Sequence, residues 1–146
     1  MLQNQSWINI EQSKFATEFN SKKDKRVEFR VFVSPYDIPE AVRGFMDQDK
    51  KRFVIEFRYI SDESVIEKKI DDNVNIFIGN NSKRVYSIEV DSQALHADQI
   101  SLKLISAIEA TRKYLSDKEK LNANIDITKN IVNANWPKIS KSMVQV

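Results

Sequence analysis

The sequence predicts an α+β fold: an antiparallel sheet of four to six strands in a meander, packed on one face by a long C-terminal helix plus a second, shorter helix. Three observations carry this. Between Arg52 and Val90, apolar and charged residues alternate in runs separated by turn residues, the pattern of half-buried strands. From Ala97 to Leu115 the apolar positions step by three and four, which lays one stripe along a helix. A shorter apolar pattern follows and meets Pro137.

In chain order, Trp7, Ile8, Ile10, Phe15 and Phe19 mark the N-terminal segment 1–26. Two readings stand. Asn9 and Gln12 form a helix cap and its box partner, or a short strand over 6–10 leads into one or two helical turns. SKKDKR (21–26) is a charged, solvated linker. Val27–Val33 is a strand, with Val27, Phe29, Val31 and Val33 on one face and Glu28, Arg30 and Phe32 on the other. The prolines of SPYDIPEA disfavour pairing and predict a loop with at most one helical turn. Val42–Met46 is a short strand, competing with a helix over 39–46, and Asp47-Gln48-Asp49-Lys50 turns it into a long strand, Arg52–Ile60. In that strand Phe53, Ile55, Phe57 and Tyr59 share a face. Val65–Ile70 and Val74–Ile78 read as one bent strand across Asp71-Asp72-Asn73. Gly79-Asn80-Asn81-Ser82 is expected to supply positive φ and close a hairpin onto Arg84–Val90. Glu-Phe-Arg occurs at 28–30 and 56–58; a cross-strand charge match explains two copies better than a true repeat.

Asp91 or Ser92 caps a helix running from about Gln93 to Ser116. Its inward residues are Ala97, Ile100, Leu104, Ala107, Ile108, Thr111 and Leu115, with Arg112, Lys113 and Lys118 where the helix dipole favours cations. Leu102 and Ile105 lie off the stripe and call for a second neighbour. A last helix over 123–135, with Ile125, Thr128, Ile131 and Val132 inward, supplies it. Pro137 ends that helix, because the residue before proline resists the α region. The domain then divides into an N-terminal segment (1–26), a sheet (27–90), helices (91–137) and a tail (138–146).

Composition bounds the chemistry. A chain of 146 residues suits one domain with a substantial core. The net charge of +2 is too small to imply nucleic acid or membrane by itself. With no cysteine there is no disulfide, thiol nucleophile or thiolate metal site. The two glycines, Gly44 and Gly79, cannot write a phosphate-cradling loop. One histidine, His96, excludes multi-histidine metal sites and makes a catalytic triad improbable. There is no signal-peptide pattern and no apolar run near the ~18 residues of a membrane span, so a soluble cytoplasmic protein is expected.

Residues 46–90 resemble a family of small bacterial domains of unknown function. The shared pattern is Y-D-x-x-x-D-x-L-Y-I, then acidic residues before a strand, then a glycine turn and I-E-I. Here Met46-Asp47 and Phe53-Val54-Ile55 fall in the first block, Asp71-Asp72-Asn73-Val74 in the second and Ile88-Glu89-Val90 in the last. Met46 stands for the tyrosine and Lys51 for the second aspartate. The resemblance covers about a third of the chain and implies a β-meander followed by a helix. It implies no activity.

Four features are candidates for chemistry. His96 reads first as a surface or capping-region residue, with no nucleophile signalled nearby. Glu67-Lys68-Lys69 has the E-x-K form of a metal-dependent nuclease strand, for which Asp47 or Asp49 would be the upstream aspartate; a charged outer strand face explains it more simply. Lys22, Lys23, Lys25, Arg26, Lys50, Lys51, Arg52, Lys83 and Arg84 fall in three clusters at strand starts or turns. If those ends meet they form a basic rim for phosphates, which Asp24, Asp47 and Asp49 dilute. The outer sheet face mixes Glu28, Arg30, Glu56, Arg58 and Glu89 with Phe32, Val54, Phe77 and Val85. Such a face calls for cover by the N-terminal segment, by the last helix or by another chain.

The expected function is non-catalytic: macromolecular binding, with a protein as partner, in a regulatory or immunity-like role. The partner-binding residues are Phe32, Val54, Phe77, Val85, Arg30 and Arg58. Self-association as a homodimer fits the same surface. The alternative is a nucleic-acid-binding module using Lys50, Lys51, Arg52, Lys83 and Arg84, with a Mg²⁺-dependent nuclease last. No cofactor, metal or membrane partner is expected.

Overall fold

The computed structural model describes residues 7–15, 34–92, 97–119 and 122–144. Six strands form one antiparallel sheet: β1 (Ile8–Asn9), β2 (Ala41–Asp47), β3 (Arg52–Arg58), β4 (Val65–Asp71), β5 (Val74–Gly79) and β6 (Val85–Asp91). Two helices follow, α1 (Ala97–Ala110) and α2 (Ala123–Val144). The class is α+β. The strand order is β1-β2-β3-β6-β5-β4. Two meander runs are joined so that β6, not β4, lies beside β3. The strand expected at Val27–Val33, and His96, lie outside the described residues.

Each hairpin follows from its turn chemistry. At 48–51 the Asp47 carboxylate accepts from the Asp49 and Lys50 amides, both at 3.1 Å. Lys51 then takes φ 53° to align Arg52 with Asp47. Residues 65–78 are not one bent strand. The Asp71 carboxylate accepts from Asn73 N at 2.7 Å and folds β5 back along β4. Three acidic or amide residues in a row make a tight turn rather than a bend, since short polar side chains hydrogen-bond their own backbone two residues on.

The β5–β6 turn closes with Gly79 N donating to Arg84 O at 2.8 Å. Its positive φ (61°) falls on Lys83, not on the glycine or the asparagines. Gly79 is needed for space instead: a Cβ there would lie 2.6 Å from the Glu63 carboxyl carbon and 2.7 Å from Ser82 Oγ.

Both helices lie on one face. α1 covers β5 and β6, α2 crosses β2, and the helices pack together. The core takes Val42, Ile55, Phe57 and Tyr59 from β2, β3 and the residue beyond it, Ile76 and Ile78 from β5, and Ile88 and Val90 from β6. Against them sit Ile100, Leu104, Ala107, Ile108 and Leu115, with Ile125, Ile127, Ile131, Val132 and Ile139 from α2. Thr111 and Thr128 are buried, their hydroxyls bonded to helix carbonyls. Of the sequence-predicted core, Phe53 is only partly buried. Ile105 packs against the core, whereas Leu102 is 70% exposed.

α1 is shorter than expected, ending at Ala110 in a 3₁₀ turn, Thr111–Tyr114. α2 is the longer helix and continues through Pro137, so 138–144 is not a tail. Pro137 sits on the exposed side of α2, as does Asn133 one turn earlier. The carbonyl that Pro137 cannot satisfy is therefore open to water, and continuing the helix buries Ile139 completely. At the N-terminus the strand reading holds: β1 pairs with β2, and residues 12–15 are helical. Asn9 lies in β1 and is not a helix cap, and Gln12 is not its box partner; the Gln12 amide donates to Pro35 O and Ile38 O. No helix among the described residues is long and apolar enough to cross a membrane.

Candidate functional site

The face of the sheet opposite the helices carries alternate residues from five strands. Register places Arg43 beside Glu56, Phe45 beside Val54, Val54 beside Glu89, Glu89 beside Asn75, and Phe77 beside Glu67. Two regions differ. At the β2–β3 side, Arg43 bonds Glu56 at 2.8 Å and lies 4.4 Å from the Trp7 ring. Arg58 lies 5.0 Å from the same ring and 3.1 Å from Glu40. The N-terminal segment thus supplies some cover, through one tryptophan stacked on two guanidinium groups. The last helix supplies none, being on the other face.

At the β6–β5–β4 side the face opens into a depression of about 480 Å³ lined by Lys50, Arg52, Glu67, Asn75, Phe77 and Glu89. Its composition follows from register. Phe77 and Asn75 are two apart on β5, so both point outward. Glu67 flanks Phe77 from β4. Glu89 is mostly buried and is held by Arg52 at 3.2 Å and Lys50 at 3.8 Å. Among the described residues neither the Glu67 carboxylate nor the Asn75 amide has a side-chain partner. The lining is two cations, two carboxylates, one amide and one aromatic ring, a formal charge of zero.

Three expected site residues therefore come together here, Lys50, Arg52 and Phe77; Val54, on β3 beside Glu89, is buried at 5% exposure and does not line the depression. Lys51 is exposed in the neighbouring turn. Arg58 is exposed at the far end of β3. Phe32 and Arg30 lie outside the described residues. Val85 is fully buried in the core and does not face outward. The register shift between Phe77 and Ile78 pairs Ile78 with Val85 and Phe77 with Ser87, so the extra residue, Tyr86, flips the alternation. Asn75 was absent from the sequence-predicted site, although its step of two from Phe77 signals it.

The two described basic clusters do not form one rim; the third, Lys22, Lys23, Lys25 and Arg26, lies outside the described residues. Lys50–Arg52 sits at the β2–β3 turn, and Lys83–Arg84 sits at the opposite end of the sheet. Arg84 is also buried: it donates to Glu63 at 2.9 Å, to Ser82 Oγ at 2.9 Å and to Tyr36 O, and stacks near Tyr59 and Tyr86. Burial opposes ionisation of Glu63, but bonds from Ser82 Oγ, Arg84 and the Ser82 and Asn81 amides outweigh it and hold the pKa at about 2. Burial pushes the Tyr86 phenol up to about 12. This cluster ties the 3₁₀ turn Pro35–Asp37, the β3–β4 loop and the β5–β6 turn together. Its groups have their partners within the fold, so it reads as scaffold.

Glu67 and the aspartates proposed for a nuclease site are not brought together. Asp47 is on β2 and Glu67 on β4, with three strands between them, roughly 19 Å at ~4.8 Å per strand. Among the described residues no group of three or more His, Cys, Asp or Glu is placed to hold a metal ion. Comparison of the chain with protein families, with curated proteins and with solved structures finds no match in any of the three.

Proposed function

We propose that this chain is a non-catalytic binding protein that holds a protein partner on the outer sheet face, with one partner side chain seated over Phe77. The observation that supports this reading is the depression itself. An aromatic floor is bordered by an amide and a carboxylate, Asn75 and Glu67, that have no side-chain partner among the described residues, while Arg52 and Lys50 already neutralise Glu89. Apolar floors with polar borders suit the anchor residues of protein interfaces. A zero-charge lining, and basic clusters at opposite ends of the sheet, favour a protein over a polyanion.

A photo-crosslinking residue in place of Asn75 should trap a specific partner that the same residue at exposed Ser106 on α1 does not. Binding of the trapped protein should then weaken by about 2 kcal/mol or more in Phe77→Ala and change little between low and physiological salt. Nucleic acid held by Lys50, Lys51 and Arg52 would behave oppositely, with log affinity falling by ~0.9 per phosphate contact. Tight duplex binding that vanishes with salt and ignores Phe77→Ala would overturn the proposal.

A further inference from the structure

The sheet ends on one side at β4, a seven-residue strand whose outer edge meets no strand among the described residues. An open edge offers a row of backbone donors and acceptors to any second strand. Val65 at its start is 45% exposed. The opposite edge is β1, only two residues long, too short to template pairing. Among the described residues the sheet therefore has one usable edge, and a contact that consumes it in both copies closes after two.

We propose that two copies of this chain join antiparallel through β4, with Lys68 on the two-fold axis, to make one continuous sheet. Of the registers with Glu67, Lys68 or Lys69 on the axis, the charges favour the second, and the irregularity between Lys69 and Asp71 disfavours an axis farther along the strand. Antiparallel pairing of a strand with its own copy sets residues opposite one another at a constant sum of positions. With Glu67 on the axis, Glu67 meets Glu67. With Lys69 on the axis, Lys69 meets Lys69 and Glu67 is directed toward Asp71. With Lys68 on the axis, Glu67 meets Lys69 twice, and these pairs lie before the irregularity between Lys69 and Asp71. Opposite charges across strands stabilise, and like charges destabilise.

Lysines on an edge ordinarily discourage pairing; in this register Lys69 gains a carboxylate instead. Its present partner, Asp72 at 3.5 Å, is 97% exposed, and such a pair is easily exchanged. The one like-charge meeting is Lys68 with its copy. That side chain lies on the helix side, 5.1 Å from the Tyr114 ring, which draws the ammonium away from the axis.

This contact uses the sheet edge and needs no heterologous partner, so it stands apart from the binding reading above, although Glu67 borders both surfaces. Sedimentation velocity of the full chain over rising concentration should show a monomer–dimer equilibrium. Glu67→Lys and Lys69→Glu should each weaken it about tenfold, because two attractive pairs become two repulsive ones. The double variant should recover the unmodified behaviour. Mixing the two single variants should produce a heterodimer, since each lysine pair then faces a glutamate pair. Amide hydrogen exchange on the unmodified chain supplies a readout that needs no variant: outward-facing β4 amides should gain protection as concentration rises. A monomer at all concentrations, a dimer indifferent to the charge swaps, a mixture that stays apart, or β4 amides unchanged while a dimer forms would each overturn the proposal.

Discussion

Replacing Asn124 by leucine should destabilise the fold by about 2–4 kcal/mol, because one buried amide joins three segments distant in sequence. Asn124 is fully buried at the start of α2. Its Oδ1 accepts from Val85 N at 3.0 Å; its Nδ2 donates to the Tyr59 hydroxyl at 2.8 Å and to Asp37 O at 2.9 Å. Val85 N lies at the β5–β6 register shift, and the Asn124 side chain accepts from it there. Leucine keeps nearly the same volume but removes the side-chain acceptor of this buried N–H, a loss of about 1–3 kcal/mol. The lost bonds to Asp37 O and Tyr59 add the rest. Tyr59 keeps its own donation to Val85 O at 2.6 Å, so Tyr59→Phe should cost only about 1 kcal/mol. The two sites share a bond, so the double variant should lose less than the sum of the two singles. Urea unfolding followed by circular dichroism gives all three values. A loss below about 1 kcal/mol for Asn124→Leu, or strict additivity in the cycle, would refute the idea that this amide holds the turn, the sheet and the helix together.

Three other outcomes are expected. Glu63 has the lower pKa in the folded chain, about 2 against 4.5, so its contribution is present in full above pH 4.5 and lost as pH falls toward 2. The gap sets a ceiling near ~3 kcal/mol, which solvent screening reduces to about 1–2 kcal/mol. Glu63→Gln should flatten the acid limb of stability against pH, and an unchanged limb would contradict this assignment. Pro137→Ala restores a helix N–H on the exposed side of α2 and should raise stability by about 1–3 kcal/mol in the same urea assay; a loss would mean the proline is supported by packing. Phe57→Ala should cost about 3–5 kcal/mol, since the ring is 3% exposed in the core, and a near-neutral variant would contradict the face assignment of β3.

Which residues face inward was legible from the sequence wherever alternation was unbroken. Ile55, Phe57 and Tyr59 at steps of two, and Ile100, Leu104, Ala107, Ile108, Thr111 and Leu115 at steps of three and four, are buried together. Those periods are local consequences of backbone geometry and need no knowledge of neighbours. What alternation leaves open is which strands lie side by side. Only the assembled sheet set β6 against β3, folded β4 and β5 into a hairpin, and so brought Glu67 and Phe77 beside Glu89 and Arg52 while parting Lys50–Arg52 from Lys83–Arg84. Local rules also failed where a distant contact outweighed them. The bulge at Tyr86 turned Val85 inward, where Asn124 of α2 meets its amide. Pro137 stayed helical because its orphan carbonyl faces water and Ile139 beyond it reaches the core. A period of two or 3.6 is determined by the chain itself; strand order, bulges and tolerated prolines are decided by contacts between segments far apart along it, and no local pattern encodes those.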